Sequence, residues 1–269
     1  MPMPTRFLPL AAAALLCPVA ALAQPASDGP RSSSSASSSW ALGVGAITMD
    51  KAYAGIDRDT MAIPFIQYEN RWVSIAGPQV GFKLLSLDLA PAQSLNLDLV
   101  ARYDGSGYDD DDIEDTPVLA GMRERKSGFW AGARIEWKTG WVDVSAEALG
   151  DASGNSKGKR FNLGVERTWH IGERVVLTPR VTASWNDEKY VDYYYGVRAD
   201  EARAGRAAYR GASGVNAEVG IRAIYLFDRR HSMFVDLEAT RLAKEIKDSP
   251  LVDRSTGNRV FVGYLYRFE

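Results

Sequence analysis

From Trp40 onward apolar and polar residues alternate one for one, and helical periodicity is scarce. Val215, Ala217, Val219, Ile221, Ala223, Tyr225 and Phe227 form one apolar row against Asn216, Glu218, Gly220 and Arg222. Val175, Leu177, Pro179, Val181, Ala183 and Trp185 repeat it against Thr178, Arg180, Thr182, Ser184 and Asn186. The same pattern runs through Leu95–Tyr103, Ala131–Trp137, Val142–Ala148, Phe161–Trp169 (broken at Arg167) and Met233–Ala239. A strand places two such sets on opposite faces. The runs are about 9–14 residues long. Strands of soluble domains average roughly 5–6 residues, whereas a tilted membrane-spanning strand needs roughly 9–11.

Connections fall into two kinds. Glu69 to Arg71, Thr139-Gly140, His170 to Glu173 and Asp228 to Arg230 are short. Asp50 to Asp59, Asp104 to Lys126, Asp187 to Ala212 and Ala243 to Gly257 are long. Outer-membrane barrels have short periplasmic turns and long outer loops. The two kinds alternate if Trp72–Ala76 and Val80–Leu87 are separate strands turning at Gly77-Pro78. The expectation is an all-β, antiparallel, up-and-down transmembrane barrel of about twelve strands, with ten as the alternative and both termini in the periplasm. Alternation is ambiguous in the first four strands, and Pro179 is a local objection because it lacks a ladder donor.

Aromatic residues support this reading. Trp137, Trp141, Trp169, Tyr225 and Phe227 gather near the short turns, and Tyr103, Phe129, Trp130, Phe161 and Trp185 near the long loops. Two such girdles suit the two membrane interfaces. At the end of the chain Val260, Val262, Tyr264, Tyr266 and Phe268 form an apolar row around Gly263. Gly263, Tyr264, Tyr266 and Phe268 look like the signal by which outer-membrane barrels are handed to the barrel-assembly machinery, with Glu269 as a one-residue departure.

The N-terminus reads as an export signal. Arg6 precedes the apolar stretch Phe7–Ala20, and Ala21 and Ala23 supply the small residues for cleavage before Gln24. Cys17 follows Leu16, which is too large for a lipoprotein site. It is also the one cysteine, so a chain cleaved after Ala23 has none and does not depend on oxidative folding. Residues 24–39, ending in a serine run, read as a flexible linker. The division is therefore 1–23 signal peptide, 24–39 linker and 40–269 barrel.

Composition narrows the function. Thirty-two Lys+Arg against 34 Asp+Glu give a net charge of −2, which argues against a nucleic-acid partner. Hydrophobic residues make up 46% and mean hydropathy is −0.21, with no spanning apolar helix beyond the N-terminal segment. A soluble, lipocalin-like exported barrel has the same alternation. The charged polar rows, the strand count above eight and the aromatic terminus argue against it.

Candidate chemistry is sparse. Asp109–Asp112 with Glu114 and Asp115 could bind a divalent cation that bridges to lipopolysaccharide. The run lacks the ligand and glycine spacing of a calcium loop, so a solvated loop is the expectation. His170 and His231 lie at separate periplasmic turns, away from the outer rim where a membrane hydrolase would need its base. No G-x-S-x-G, phosphate-binding loop or Cys/His cluster is present. We therefore expect no enzyme activity, no catalytic residues, no cofactor and no metal. The inward polar set mixes Asp98, Arg102, Arg134, Glu136, Lys138, Asp143, Glu147, Glu166, Arg180, Glu218, Arg222, Asp236, Glu238 and Arg267. A barrel of this size is narrower than the roughly 16–18-stranded porins, so a lumen filled by paired charges is expected over an open pore. Tyr190, Tyr193, Tyr194 and Tyr195, in the longest outer loop, suit either a recognition surface or a plug in the barrel mouth.

Several segments resemble the MipA/OmpV family of Gram-negative outer-membrane proteins over Trp40–Phe268. They are Tyr53-Ala54-Gly55, Pro64 with Tyr68-Glu69, and Tyr190 with Tyr193-Tyr194-Tyr195-Gly196-Val197. Glu201-Ala202, Tyr209, Ser249-Pro250-Leu251-Val252 and Gly263 to Phe268 complete the set. The resemblance implies localisation in the outer membrane, among lipid and lipopolysaccharide. It also implies a non-enzymatic scaffold joining a lytic transglycosylase to a peptidoglycan (murein) synthase. The alternative is a small-solute channel or surface adhesin acting through the outer loops. The resemblance supplies no catalytic residues.

Overall fold

A computed structural model describes residues 38–56 and 58–268. The signal-peptide reading, with Ala21 and Ala23, and nearly all of the linker lie outside the described residues. The strands are β1 (Ser39–Met49), β2 (Asp59–Glu69), β3 (Val73–Ala76), β4 (Gln79–Ala90), β5 (Gln93–Asp104), β6 (Gly128–Lys138) and β7 (Asp143–Asp151). They continue as β8 (Lys159–Glu166), β9 (Trp169–Ile171), β10 (Val175–Asn186), β11 (Gly214–Leu226), β12 (His231–Arg241) and β13 (Thr256–Phe268). Three short helices lie in the outer loops: α1 (Asp110–Asp115), α2 (Glu188–Tyr195) and α3 (Lys244–Lys247).

All pairings are antiparallel between chain neighbours, and β13 pairs back onto β1 from Trp40↔Phe268 to Met49↔Arg259, closing the sheet. The barrel has twelve strands because β8 and β9 are one. Both pair with β10 in a single register, Arg180↔Glu166 above and Leu177↔Trp169 below. Between them Arg167 donates to the Pro179 carbonyl at 3.2 Å, but Pro179 has no N–H to return. Pro179 therefore interrupts the ladder without ending the strand. The even count puts both ends of the barrel chain on the short-turn side. No helix of the described residues is long and apolar enough to cross a membrane; the strands cross it.

The turn at Gly77-Pro78 is real, and Gly77 takes a positive φ of 56° there. β3 begins one residue later than expected, at Val73, and β4 is longer, Gln79–Ala90. The outward faces carry the lipid-contacting side chains: Leu42, Val44, Ile66, Leu99, Ile135, Leu163, Val181, Val219 and Leu237 are exposed. The girdles appear with one correction. Trp130 is 1% exposed and points inward, in phase with Arg134, while Phe129 takes the outward position.

Candidate functional site: a charged lumen under a tyrosine roof

The inward rows of β5 to β13 meet as an ion-pair lattice set by strand register. Arg134 and Glu147 are direct cross-strand partners, 2.6 Å apart. Glu147 also takes Arg102 at 3.0 Å and the Asn162 amide at 2.9 Å. Across the lumen wall Arg180 bonds Asp236 and Glu238, each at 2.8 Å, while Arg222 holds Asp236 and Arg259 holds Glu238, also at 2.8 Å. Arg180 reaches them because Gly220 lies between: a Cβ there would sit 2.6 Å from its guanidinium carbon. Buried charges are tolerated only when paired in this way. The lattice encloses a cavity of about 290 Å³.

Below the lattice the wall is apolar. Phe65, Phe234 and Phe261 pack edge-to-face with centroids 4.9–5.7 Å apart, joined by Ile47, Ile63, Ile224 and Leu265. Glycines make room for the rings. A Cβ at Gly43 would lie 2.5 Å from the Phe65 ring, and one at Gly263 would lie 2.6 Å from Phe234. The rings stand at the level of Gly43 and Gly45, above a second luminal cavity lined by Ala41, Gln67 and Arg267 and below the charged one.

The outer loops roof the charged cavity. Asp187 caps α2 by accepting from the Tyr190 N–H at 2.9 Å. Tyr190 and Tyr194 are buried, at 5% and 1% exposure, and Tyr193 and Tyr195 are half-buried. Tyr190 packs on Trp130, and Arg160 lies over both rings while pairing with buried Asp104. The Ser-Pro-Leu segment serves the same roof: Ser249 Oγ donates to the Tyr195 carbonyl at 2.6 Å, and the Ala54 N–H to that of Leu251 at 2.8 Å. Tyr53 donates to the Tyr194 carbonyl at 3.0 Å. Burial pushes the Tyr53, Tyr190, Tyr194 and Tyr195 hydroxyls up, which keeps them neutral donors.

A buried pair locks the two longest loops together. Arg125 Nη2 lies 2.7 Å from Glu201 Oε2, each essentially inaccessible. Burial works against the Glu201 carboxylate, but Arg125 and the backbone N–H groups of Arg198 and Arg123 together hold it down at about 2.

The acidic run forms α1, with Asp109 and Asp112 closing a capping box and Asp112 paired to Lys51 at 2.7 Å. No His/Cys/Asp/Glu group suited to a metal occurs among the described residues. His170 is exposed in β9, and His231 bonds the Tyr264 hydroxyl across the β12–β13 ladder. Tyr264, Tyr266 and Phe268 face outward around Gly263, and Phe268 stacks on Trp40 at 4.0 Å, where the barrel closes. Sequence reasoning missed Asp104, Arg125, Arg160, Arg259 and the phenylalanine cluster, and had Glu201 only as part of the family resemblance. Arg160 had a signal, since it is in phase with Asn162. Phe234 and Phe261 had one too, in phase with Asp236 and with Arg259, whereas Phe65 had none, because both faces of β1 and β2 are apolar.

The sequence profile of the family described as "MltA-interacting protein MipA" matches residues 42–268. The chain is 29% identical over 240 residues to the putative outer membrane protein YiaT of Escherichia coli K12, covering 89% of this chain and 95% of the relative. It is 27% identical over 230 residues to the MltA-interacting protein of the same strain, covering 85% and 90%. It is 29% identical over 171 residues to outer membrane protein OmpV of Vibrio cholerae, covering 63% of each. Among solved structures it is similar to the NanC porin (TM-score 0.45, 10% identity, 84% of this chain and 98% of that one). It is likewise similar to an outer-membrane channel of Pseudomonas putida F1 (TM-score 0.44, 12% identity, 91% and 100%).

Proposed function

Because the chain belongs to the MltA-interacting protein family of outer-membrane barrels, we propose that it is a scaffold, anchored by its barrel, that holds a lytic transglycosylase and a peptidoglycan synthase at its periplasmic side. The name of the Escherichia coli relative supports the first partner. The observation that carries the reading for this chain is the lower half of β4. The Lys83 N–H bonds the Trp72 carbonyl at 2.7 Å, and from Leu84 to Ala90 the strand pairs only with β5. Leu84, Leu85, Leu87 and Leu89 are exposed there. An open edge bearing leucines is a template for another extended chain, and this one lies on the side where periplasmic enzymes work. Tyr190, Tyr193, Tyr194 and Tyr195 serve as the plug in this reading, which leaves the outer surface without a role in capture. Gly263, Tyr264, Tyr266 and Phe268 direct assembly.

The test is capture of a purified MltA-type lytic transglycosylase by the reconstituted barrel. Leu87→Lys combined with Leu89→Lys should weaken capture at least tenfold, while removal of outer-loop residues 109–115 should leave it intact. Capture that survives the lysines, or that depends on the outer loop, would count against the scaffold. A second reading, a solute channel, draws on the luminal cavity. Its roof and aromatic wall favour the scaffold.

A further inference from the structure

The charged lumen does not balance locally. On its wall Asn162, Gly164 and Glu166 of β8 face inward beside Arg180, Thr182 and Ser184 of β10, with Glu218 and Gly220 of β11 beyond. Register makes Arg180 the neighbour of Glu166. Gly220 removes the side chain that would block the other direction, and Arg180 turns that way, to Asp236 and Glu238. Glu166 is left with no ion pair or hydrogen bond among the described residues. Among the described residues Glu218 keeps only the Ser184 hydroxyl, at 2.7 Å. The Asn162 Oδ1 is buried and unpartnered. Between them Gly164 opens a space edged by the Ser145 and Thr182 hydroxyls. The arginines lining the cavity bond other carboxylates: Arg102 and Arg134 share Glu147, Arg180, Arg222 and Arg259 share Asp236 and Glu238, and Arg160 holds Asp104. What faces the cavity at this point is a ring of acceptors.

We propose that this ring binds a compact organic dication, a short aliphatic diamine, in the luminal cavity. Unpaired carboxylates in a low-dielectric site favour a cation that brings its own hydrogen-bond donors. A metal ion is a poor fit, since no group of three ligating side chains is assembled there among the described residues. Spacing selects the length. Glu166 and Glu218 are two strands and two residues apart, about 12 Å between Cα atoms by strand geometry. Their side chains close part of that gap. A four-carbon diamine, roughly 6 Å between its nitrogens with bonds of about 1.5 Å, spans the rest. The cavity, about 290 Å³, has room for it. The Tyr190 and Tyr195 rings line its upper side and add an aromatic surface that favours cations.

The inference goes beyond the scaffold and does not rest on it. Its test is calorimetric titration of the folded, detergent-solubilised barrel with three compounds of matched length: 1,4-diaminobutane, 1,4-butanediol and succinate. Saturable binding of the diamine alone is expected. It should weaken at least tenfold in Glu166→Gln and in Glu218→Gln, and should be unchanged in Asp109→Asn on the outer surface. Both isosteric variants are checked for folding by heat-modifiable mobility, and either one that folds is decisive. No saturable diamine binding at millimolar concentration, equal binding of butanediol, or full binding by a folded glutamine variant would overturn the proposal.

Discussion

Glu201 ties residues 105–127 to 187–213 through Arg125, and few side chains here have as clear a titration consequence. Its folded-state pKa, about 2, lies below the roughly 4.3 of an unfolded glutamate. The pair therefore contributes stability that is fully present above about pH 4.5 and is lost as pH falls toward 2. The linkage is on the order of 3 kcal/mol, enough to hold a roof made of loops. Limited pepsin digestion reads it directly. The wild-type loops should resist at pH 4 and be cut at pH 2, and Glu201→Gln should be cut already at pH 4. Equal resistance of the variant at pH 4 would remove the pair from the account. The sequence marks Glu201 only as part of the family resemblance and Arg125 not at all, because the pairing joins positions far apart in two irregular loops. Strand residues were more legible. All fourteen inward charges expected from alternation lie on strands whose inward rows line the lumen. Arg160 and Trp130 slipped through because each sits at a strand end, where loop and strand cannot be told apart by period.

At the level of elements, Pro179 is the clearest local conflict. In an antiparallel ladder Arg167 and position 179 would exchange two bonds, and only the Arg167 N–H makes one. Pro179→Val restores the missing donor opposite the Arg167 carbonyl without changing the outward, apolar character of the site. It should raise the temperature of the heat-modifiable transition, with a gain of about 0.5–1.5 kcal/mol. A lower transition would mean that the break in the ladder is itself required. The strand count was legible because loop lengths alternate, and this single pairing rule resolved β3 and β4 despite their weak pattern. The first strands were ambiguous for a physical reason. Ala41, Ile47, Ile63 and Phe65 face the aromatic cluster while Leu42, Val44 and Ile66 face lipid, so polarity does not alternate where side-chain direction does.

For the whole molecule, the lumen carries two side-chain clusters at different heights that share no residues. The upper one is the loop roof of Tyr190, Tyr194 and Trp130, and the lower one is the cluster of Phe65, Phe234 and Phe261. Two barriers in series make a definite prediction for planar bilayers. The wild type should show no steady ohmic openings. Tyr190→Ala with Tyr194→Ala should leave the lower cluster in place and stay silent, as should Phe65→Ala with Phe234→Ala, which leaves the roof. All four substitutions together should conduct, and more strongly for cations than for anions, because the acceptor ring at Glu166 and Glu218 then borders the path. Conductance in the wild type would revive the channel reading against the scaffold. Conductance in either double variant would reduce the two barriers to one. A silent quadruple variant would shift the occlusion to the ion-pair lattice, since that is what remains between the two cavities. Each result thus separates a barrel that works by what it encloses from one that works by what it holds at its periplasmic edge.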